Sequence, residues 1–146
     1  SRGLGDVYKR QRQYMNDLYK TGSMIENFLS MLLTKAKISS IISFDETPLT
    51  ISSDSTDMIV VDVLSVNDYG GEAKCSANIF LYAKSTDSLG SKPVKKLFDM
   101  EKTLFSAIDQ SNDKHFVITS CELIGKESKN SGNFYCNVYN IGITIR

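Results

Sequence analysis

The sequence has few of the residues on which catalytic and metal sites usually depend. It has no tryptophan, one histidine, three cysteines and two prolines among 146 residues. The cysteines form no Cys-x-x-Cys or Cys/His spacing, so the sequence does not predict a zinc site. Cys75, Cys121 and Cys136 are also too few and too far apart for a disulfide framework. We interpret them as small buried apolar residues.

An excess of charge of one sign is also missing. The sequence has 17 basic and 17 acidic residues, and neither sign forms a long block. This balance disfavours readout of nucleic acid or binding to an anionic membrane surface. No apolar run approaches the ~20 residues needed to cross a bilayer, and no signal-peptide pattern opens the sequence. We therefore expect an intracellular protein that has no membrane partner.

The N-terminal residues predict an extension outside the fold. The segment GLGDVYKRQ (3–11) resembles a translated adaptor sequence that recurs in reading frames from metagenomic DNA, which places the expected natural start at Met15 or Met24. A genuine basic helix is the alternative, although the spacing of its apolar residues supports it weakly. We expect residues 1–22 to be a non-native or disordered extension. Residues 23–146 are long enough to form a single domain with its own core.

The first clear element is a helix. Ser23 and Glu26 have the spacing of a capping box, which predicts a helix from Met24 to Ala36. Its predicted apolar face consists of Met24, Ile25, Phe28, Leu29, Leu32 and Ala36. Runs rich in β-branched residues follow at 38–44, 49–51 and 58–66, so this helix is predicted to pack on a sheet.

The segment from Ala73 to Lys84 alternates most regularly, with apolar residues at every odd position. Turn-forming residues at 52–57 and 67–71 predict that this strand forms a hairpin with the preceding one. Phe80 and Tyr82 lie on the opposite face of the strand from the odd positions. We expect a helix or another subunit to cover them.

A second helix is predicted from Pro93 to Gln110, because proline is favoured in the first turn of a helix. Its predicted apolar stripe consists of Val94, Leu97, Phe98, Leu104, Phe105 and Ile108. Glu101 falls near the middle of this stripe, where an unpaired carboxylate is costly. It therefore acts as a general acid, contacts another subunit, or reaches water at the edge of the sheet.

The last two strands are predicted at 115–124 and 133–145, joined by a polar loop at 125–132. A hairpin symmetric about this loop sets Cys121 opposite Cys136. In the final strand the apolar positions change from even to odd near Tyr139 and Asn140. This change predicts either a bulge or a strand whose two halves are covered on opposite faces.

Together these elements predict an α+β fold, with an antiparallel or mixed sheet of about four to five strands packed by two helices in the order α-β-β-β-α-β-β. Over residues 24–146, this order and these lengths resemble the tail-terminator and tail-completion proteins of long-tailed bacteriophages. The resemblance involves no sequence motif. It implies a non-enzymatic ring, usually hexameric, that caps the tail tube and meets the head connector, with no catalytic residues to carry over.

The resemblance also implies partners and a location. The partners are further copies of the chain in a ring, the tail-tube protein and the head-completion protein, and no cofactor or metal is expected. The location is the host cytoplasm during assembly of a phage or prophage tail, and then the virion tail. The candidate contact residues are Asn67, Asp68, Tyr69, Phe80, Tyr82, Glu101, Lys126 and Lys129.

Two other classes of function compete with this interpretation. A small ligand-binding or regulatory module requires a pocket with convergent polar groups, for which Glu101, His115 and Tyr135 are the candidates. An enzyme is disfavoured, because hydrolytic or transfer chemistry usually needs a base with an orienting partner. The single histidine, His115, comes with no acidic cluster in the sequence.

Overall fold

The computed structural model describes residues 2–46, 55–129 and 133–146. Its helices and strands, in chain order, are α1 (Arg2–Leu18), α2 (Gly22–Ala36), β1 (Ile42–Phe44), β2 (Asp57–Asp68), β3 (Ala73–Lys84), α3 (Val94–Gln110), β4 (Phe116–Lys129) and β5 (Phe134–Ile145). From α2 onward this is the predicted order α-β-β-β-α-β-β. The α+β class is confirmed.

The five strands form one mixed sheet in the order β1-β2-β3-β5-β4. β1 is parallel to β2, and every other neighbouring pair is antiparallel. The β2–β3 hairpin is confirmed, but its turn is shorter than predicted because Asn67 and Asp68 belong to β2. Gly70 and Gly71 have φ values of 78° and 102° in this turn, a conformation that glycine adopts without strain.

Two other predicted segments differ from the structure. β1 begins at Ile42, so it is shorter than the predicted run at 38–44. The predicted strand at 49–51 lies outside the described residues, as does the first part of the predicted turn at 52–57. Asp57, the last residue of that turn, is the first residue of β2.

The start of α2 is set by Thr21 rather than by the predicted capping box. The Thr21 hydroxyl accepts a hydrogen bond from the backbone N–H of Met24 at 3.3 Å. Because Thr21 holds the cap position, α2 begins at Gly22, two residues before the predicted start. The helix ends after Ala36 as predicted, where Lys37 adopts a left-handed conformation with φ 56°.

The main core lies where α2 and α3 pack on one face of the sheet, called here the front face. The buried helix residues are Ile25, Phe28, Leu29, Leu33, Leu97, Met100 and Leu104. All six odd-numbered residues of β3 are buried beneath them, as the alternation predicted. On α2, Leu33 is fully buried and Leu32 only partly, so the predicted apolar face was slightly misplaced.

The change of phase in β5 comes from burial on both faces of the sheet. Register between β3 and β5 runs without a shift from Ala73 opposite Ile145 to Lys84 opposite Phe134, so no bulge interrupts this pairing. The first half of β5 contributes to a second apolar cluster on the back face, and the second half contributes to the main core. The back-face cluster consists of Met58, Val60, Tyr82, Phe134, Cys136 and Val138. The second predicted explanation is therefore confirmed.

The predicted pairing of Cys121 with Cys136 is wrong. Cys121 lies opposite Ile141, and Cys136 lies opposite Glu127. The register differs because β4 continues to Lys129 and contains two irregularities, which a symmetric hairpin does not include. Cys121 packs against the main core and Cys136 lies in the back-face cluster, so they are on opposite sides of the sheet. None of the three cysteines forms a disulfide.

Helix α1 occupies most of the predicted extension. Residues 2–18 are helical, whereas the sequence predicted a non-native or disordered segment. None of the described side chains of α1 belongs to either apolar cluster, and Leu4 and Val7 are exposed. The described side chains of α1 therefore take no part in the core. The non-native origin of this segment stays a prediction.

An ion pair between Asp57 of β2 and Lys96 of α3 predicts a loss of stability in acid. The two groups lie 2.9 Å apart. Burial acts to raise the pKa of Asp57, but hydrogen bonds from Lys96 and Ser39 outweigh it and hold the pKa below its usual value. Such a carboxylate stabilises the fold above its unfolded pKa of about 3.9, and that stabilisation is lost as pH falls through the folded value.

We therefore expect Asp57→Asn to lower the free energy of unfolding by up to about 1 kcal/mol at pH 7 and to flatten its decline between about pH 5 and pH 2. Urea unfolding across this pH range measures both effects. Asp99→Asn is the control, because the Asp99–Lys102 pair is exposed and 3.9 Å long, and it should change the pH dependence less. Equal acid slopes for the wild type and Asp57→Asn would contradict the prediction.

Candidate functional site

Glu101 accepts a hydrogen bond from a side chain of the same chain. It is partly buried on α3 and accepts a hydrogen bond from the hydroxyl of Tyr139, which β5 holds at 5% exposure. The ring of Tyr139 also meets Phe105 edge to face, with centroids 5.3 Å apart. Glu101 therefore has a polar partner within its own chain and is also partly exposed to solvent.

The predicted apolar stripe of α3 divides into a buried part and an exposed part. Leu97, Met100 and Leu104 face the core, whereas Val94, Phe98 and Phe105 are 66%, 50% and 41% exposed. Placing the latter three in the core was therefore wrong. At 100° per residue Glu101 lies between the two groups, so it marks the border where α3 leaves the sheet.

Phe105 of α3 meets Tyr139 of β5, and β4 lies beyond β5 as an edge strand of the sheet. Leu123 lies opposite Tyr139 and is 49% exposed, so it extends the front face beyond β5. Ile124 follows at a shift in register between Leu123 and Gly125 and is 51% exposed. We call Phe98, Phe105, Leu123 and Ile124 the α3–β4 patch. Lys102 lies at its rim, with Nζ 5.1 Å from the centre of the Phe98 ring.

The edge of the sheet farthest from β4 is also partly open among the described residues. β1 pairs only with Ile59–Val61 of β2, so Asp62–Asp68 has no second neighbouring strand among the described residues. Leu64 sits at a shift in register between Val63 and Ser65 and is 50% exposed, and Val66 is 36% exposed. We call the segment Asp62–Asp68 the β2 free edge.

The structure places four of the eight predicted contact residues on the surface. Asn67, Asp68, Tyr69 and Lys126 are exposed, Phe80 and Glu101 are partly buried, and Lys129 is the last residue of β4. Asp68 is bound at 2.9 Å by Lys20. Tyr82 is only 3% exposed because the chain itself buries it in the back-face cluster, so it offers no surface to a partner.

Sequence reasoning missed Leu64, Leu123 and Ile124. Each is an apolar residue in an otherwise ordinary strand pattern, so nothing in the pattern distinguished it from a core residue. Their exposure depends on which strands lie at the edges of the sheet and on where the register shifts. Neither property is visible in the spacing of apolar residues along one strand.

The three residues predicted for a ligand pocket do not converge. Glu101 binds Tyr139, whereas the Tyr135 hydroxyl donates to the backbone carbonyl of Gly90. His115 stacks on Tyr19 with ring centroids 3.8 Å apart, and its Nδ1 lies 2.8 Å from the Arg146 carbonyl oxygen. Each residue therefore has its own separate partners.

His115 does border a groove between α2 and α3, with a volume of about 1030 Å³. Neither Glu101 nor Tyr135 lines it. In the part of the chain that the structure describes, no three His, Cys, Asp or Glu side chains group as metal ligands. Every buried side-chain nitrogen or oxygen of these residues has a partner. None of the described helices is both long and apolar enough to span a bilayer.

The Glu101–Tyr139 contact predicts strong coupling between the two residues. Glu101→Leu leaves the buried Tyr139 hydroxyl without its acceptor, which should cost about 1–3 kcal/mol of unfolding free energy. Tyr139→Phe added to Glu101→Leu removes the orphaned hydroxyl and should recover much of that loss. Glu101→Gln keeps an acceptor oxygen and is the matched control. Denaturant unfolding measures the free energy lost in each single variant and in the double variant. A loss in the double variant equal to the sum of the two single losses would contradict the prediction.

Tyr139 also predicts a loss of stability in alkali. Burial, and then the hydrogen bond to Glu101, raise the pKa of Tyr139 above its usual value. A raised pKa stabilises the fold below the unfolded value of about 10, and that contribution is lost as pH rises toward the folded value. We expect Tyr139→Phe to lose less stability than the wild type between about pH 10 and pH 12. Denaturant unfolding of both proteins across this pH range measures the difference in free energy of unfolding. Tyr69→Phe, at an exposed tyrosine, is the control.

Comparison with known proteins assigns no family to this chain. No protein-family model matches it, and no curated protein matches it in sequence. The resemblance to phage tail proteins therefore stays a prediction. Inference about function depends on the fold, the contacts and the surface of the chain itself.

Proposed function

We propose that this protein is a non-enzymatic structural subunit of a phage or prophage tail. In this proposal it forms a ring that caps the tail tube and joins it to the head-completion protein. The observation that carries the proposal is that two different surfaces, the α3–β4 patch and the β2 free edge, expose apolar residues at opposite edges of one sheet and have no further strand beside them among the described residues. The element order α-β-β-β-α-β-β adds the resemblance to tail-terminator proteins.

Two different surfaces on opposite sides of a subunit suit a ring. A two-fold dimer uses one surface twice, whereas a closed ring joins one surface of each subunit to a different surface of the next. A monomeric protein rarely leaves large apolar residues exposed on both open edges of its sheet. The α3–β4 patch and the β2 free edge together supply the two unlike surfaces.

The ends of the sheet fit contacts above and below such a ring. The turn at 69–72 lies at one end of the sheet, and Lys129, which ends β4, and Phe134, which begins β5, lie at the other. The sequence predicted a turn at 67–71 and a loop at 125–132, but Asn67 and Asp68 belong to β2 and Gly125–Lys129 belongs to β4. We propose that one end meets the tail tube and the other meets the head-completion protein.

A ligand-binding module is the second candidate, and the groove beside His115 is the observation that favours it. Its volume is in the range of small-molecule sites, which are about 300–1,000 Å³. However, ligand sites usually combine an apolar lining with a few convergent polar groups, and Glu101 and Tyr135 lie elsewhere. The tail proposal therefore has more support.

The tail proposal is tested by mixing the purified protein with polymerised tail tubes of its own phage and imaging the tubes by electron microscopy. We expect ring-shaped density at one end of each tube. Deletion of the gene should give tubes of irregular length. Bare tube ends in the mixture, together with normal tube length in the deletion mutant, would rule the proposal out.

A further inference from the structure

A polar cavity lies where α2 ends and α3 begins, beside the start of β2. It has a volume of about 450 Å³ and is lined by two lysines, four hydroxyl residues, Asp57 and Ile38. The lysines and hydroxyl residues are Lys37, Lys96, Ser39, Ser40, Ser55 and Thr56. We infer that this cavity binds a phosphate group, as the free ion or on a small sugar. The inference does not rest on the tail proposal, because the cavity includes neither the α3–β4 patch nor the β2 free edge.

The acidic residue of the cavity, Asp57, is already bound by donors of the same chain. Lys96 Nζ lies 2.9 Å from Asp57 Oδ2. Thr56 Oγ1 donates to the same oxygen at 3.3 Å, and the Ser39 hydroxyl also hydrogen-bonds to Asp57. Because Lys96 balances the charge of this carboxylate, Lys37 gives the lining a net positive charge. A cavity with this charge attracts anions.

Lys37, Ser40 and Ser55 provide further donors. Among the described residues, Lys37 forms no ion pair. The hydroxyls of Ser40 and Ser55 likewise have no hydrogen-bond partner in that part of the chain. Phosphate oxygens accept strong hydrogen bonds from ammonium and hydroxyl groups. One ammonium and two hydroxyls are thus available to a phosphate while the contacts of Asp57 stay intact.

The backbone at Lys37 supports a role for its side chain. Lys37 follows α2 in a left-handed conformation with φ 56°. Glycine is the usual residue in this conformation, because a β-carbon makes it unfavourable. Lysine is therefore not the residue that best stabilises the end of α2. The positive charge that it places at the cavity gives a reason for lysine at this position.

The N-terminus of α3 adds to the positive potential of the cavity. Lys96 lies in the first turn of this helix, which begins at Val94. No side chain caps the helix, and its first turn contains no acidic residue. The N-terminal end of a helix dipole is positive. The dipole of α3 therefore acts in the same direction as the two lysines.

The size and lining of the cavity favour a phosphate attached to a sugar. Its volume is within the range of small-molecule sites, about 300–1,000 Å³. It is many times the roughly 30 Å³ of one water molecule, so a bound phosphate leaves room for further atoms. Serine and threonine hydroxyls both donate and accept hydrogen bonds, as sugar hydroxyls do. Ribose 5-phosphate is therefore a suitable probe.

Isothermal titration calorimetry of the full chain at constant ionic strength tests the site. Ribose 5-phosphate should bind at one site per chain with Kd below about 1 mM. Ribose should show no saturable binding, because it has no anionic group. Inorganic phosphate distinguishes the two sources of the phosphate group. Weaker binding than ribose 5-phosphate identifies a sugar phosphate as the ligand, and equal binding identifies the free ion.

Lys37→Gly separates binding from folding. It removes the positive charge and relieves the left-handed backbone, so urea unfolding should show a variant at least as stable as the wild type. Its affinity for ribose 5-phosphate should fall about tenfold. Lys37→Gln should weaken binding to a similar extent. Lys95→Gln is the charge-matched control, because Lys95 is exposed beside Lys96 but does not line the cavity, and it should bind like the wild type.

Asp57→Asn should act in the opposite direction. It removes the acidic group of the cavity and releases Lys96 to contact the ligand. Ribose 5-phosphate should therefore bind this variant more tightly than the wild type, although the fold is less stable.

The inference is overturned if neither ribose 5-phosphate nor inorganic phosphate shows saturable binding up to about 10 mM. It is also overturned if ribose binds as tightly as its phosphate, or if Lys37→Gly binds like the wild type. Equal losses of affinity in Lys95→Gln and Lys37→Gln would show attraction by net charge alone and would reject the site. Weaker binding in Asp57→Asn would reject the assigned role of the lysines.

Discussion

The packing of α2 and α3 on the odd-numbered face of β3 is the contact on which the fold depends. β3 pairs along its whole length with β2 on one side and β5 on the other, so it fixes the register of both neighbours. Its front-face residues Ala73, Cys75 and Ala77 are small, which lets the helices approach the sheet closely. Burial in this face also raises the pKa of the Cys75 thiol to about 11, so the thiol stays protonated at neutral pH.

The same packing explains why one side of the molecule stays open. The buried side of α3 faces the core through Leu97, Met100 and Leu104, and its exposed side carries Phe98 and Phe105. Glu101 lies at the border between these two sides, where it accepts a hydrogen bond from the buried Tyr139 hydroxyl. A single hydrogen-bond donor and partial exposure to solvent are sufficient to accommodate this carboxylate within an apolar stripe. The apolar side chains beyond it, Phe98 and Phe105, stay exposed.

How much of the fold could be predicted from the sequence depended on the range of the interactions involved. The alternation in β3 and the turn residues before it identified the hairpin, because both are local properties of the backbone. The cap of α2 was misplaced because Thr21 and Ser23 are both good cap residues, and only the backbone path selects Thr21. The pairing of Cys121 was wrong because irregularities in β4 shift the register. Glu101 was singled out correctly, whereas its donor, Tyr139, lies 38 residues away along the chain.

The sequence by itself determined the α+β class and the order of the elements, since these follow from the periodicity of apolar residues. For β5 it left a bulge and two-sided burial as alternatives, and the structure shows two-sided burial. Only the tertiary structure decided which strands lie at the edges, which half of the α3 stripe reaches the core and which apolar residues stay exposed. The physical reason is that periodicity specifies which face of an element is apolar. It does not specify whether another element of the same chain covers that face.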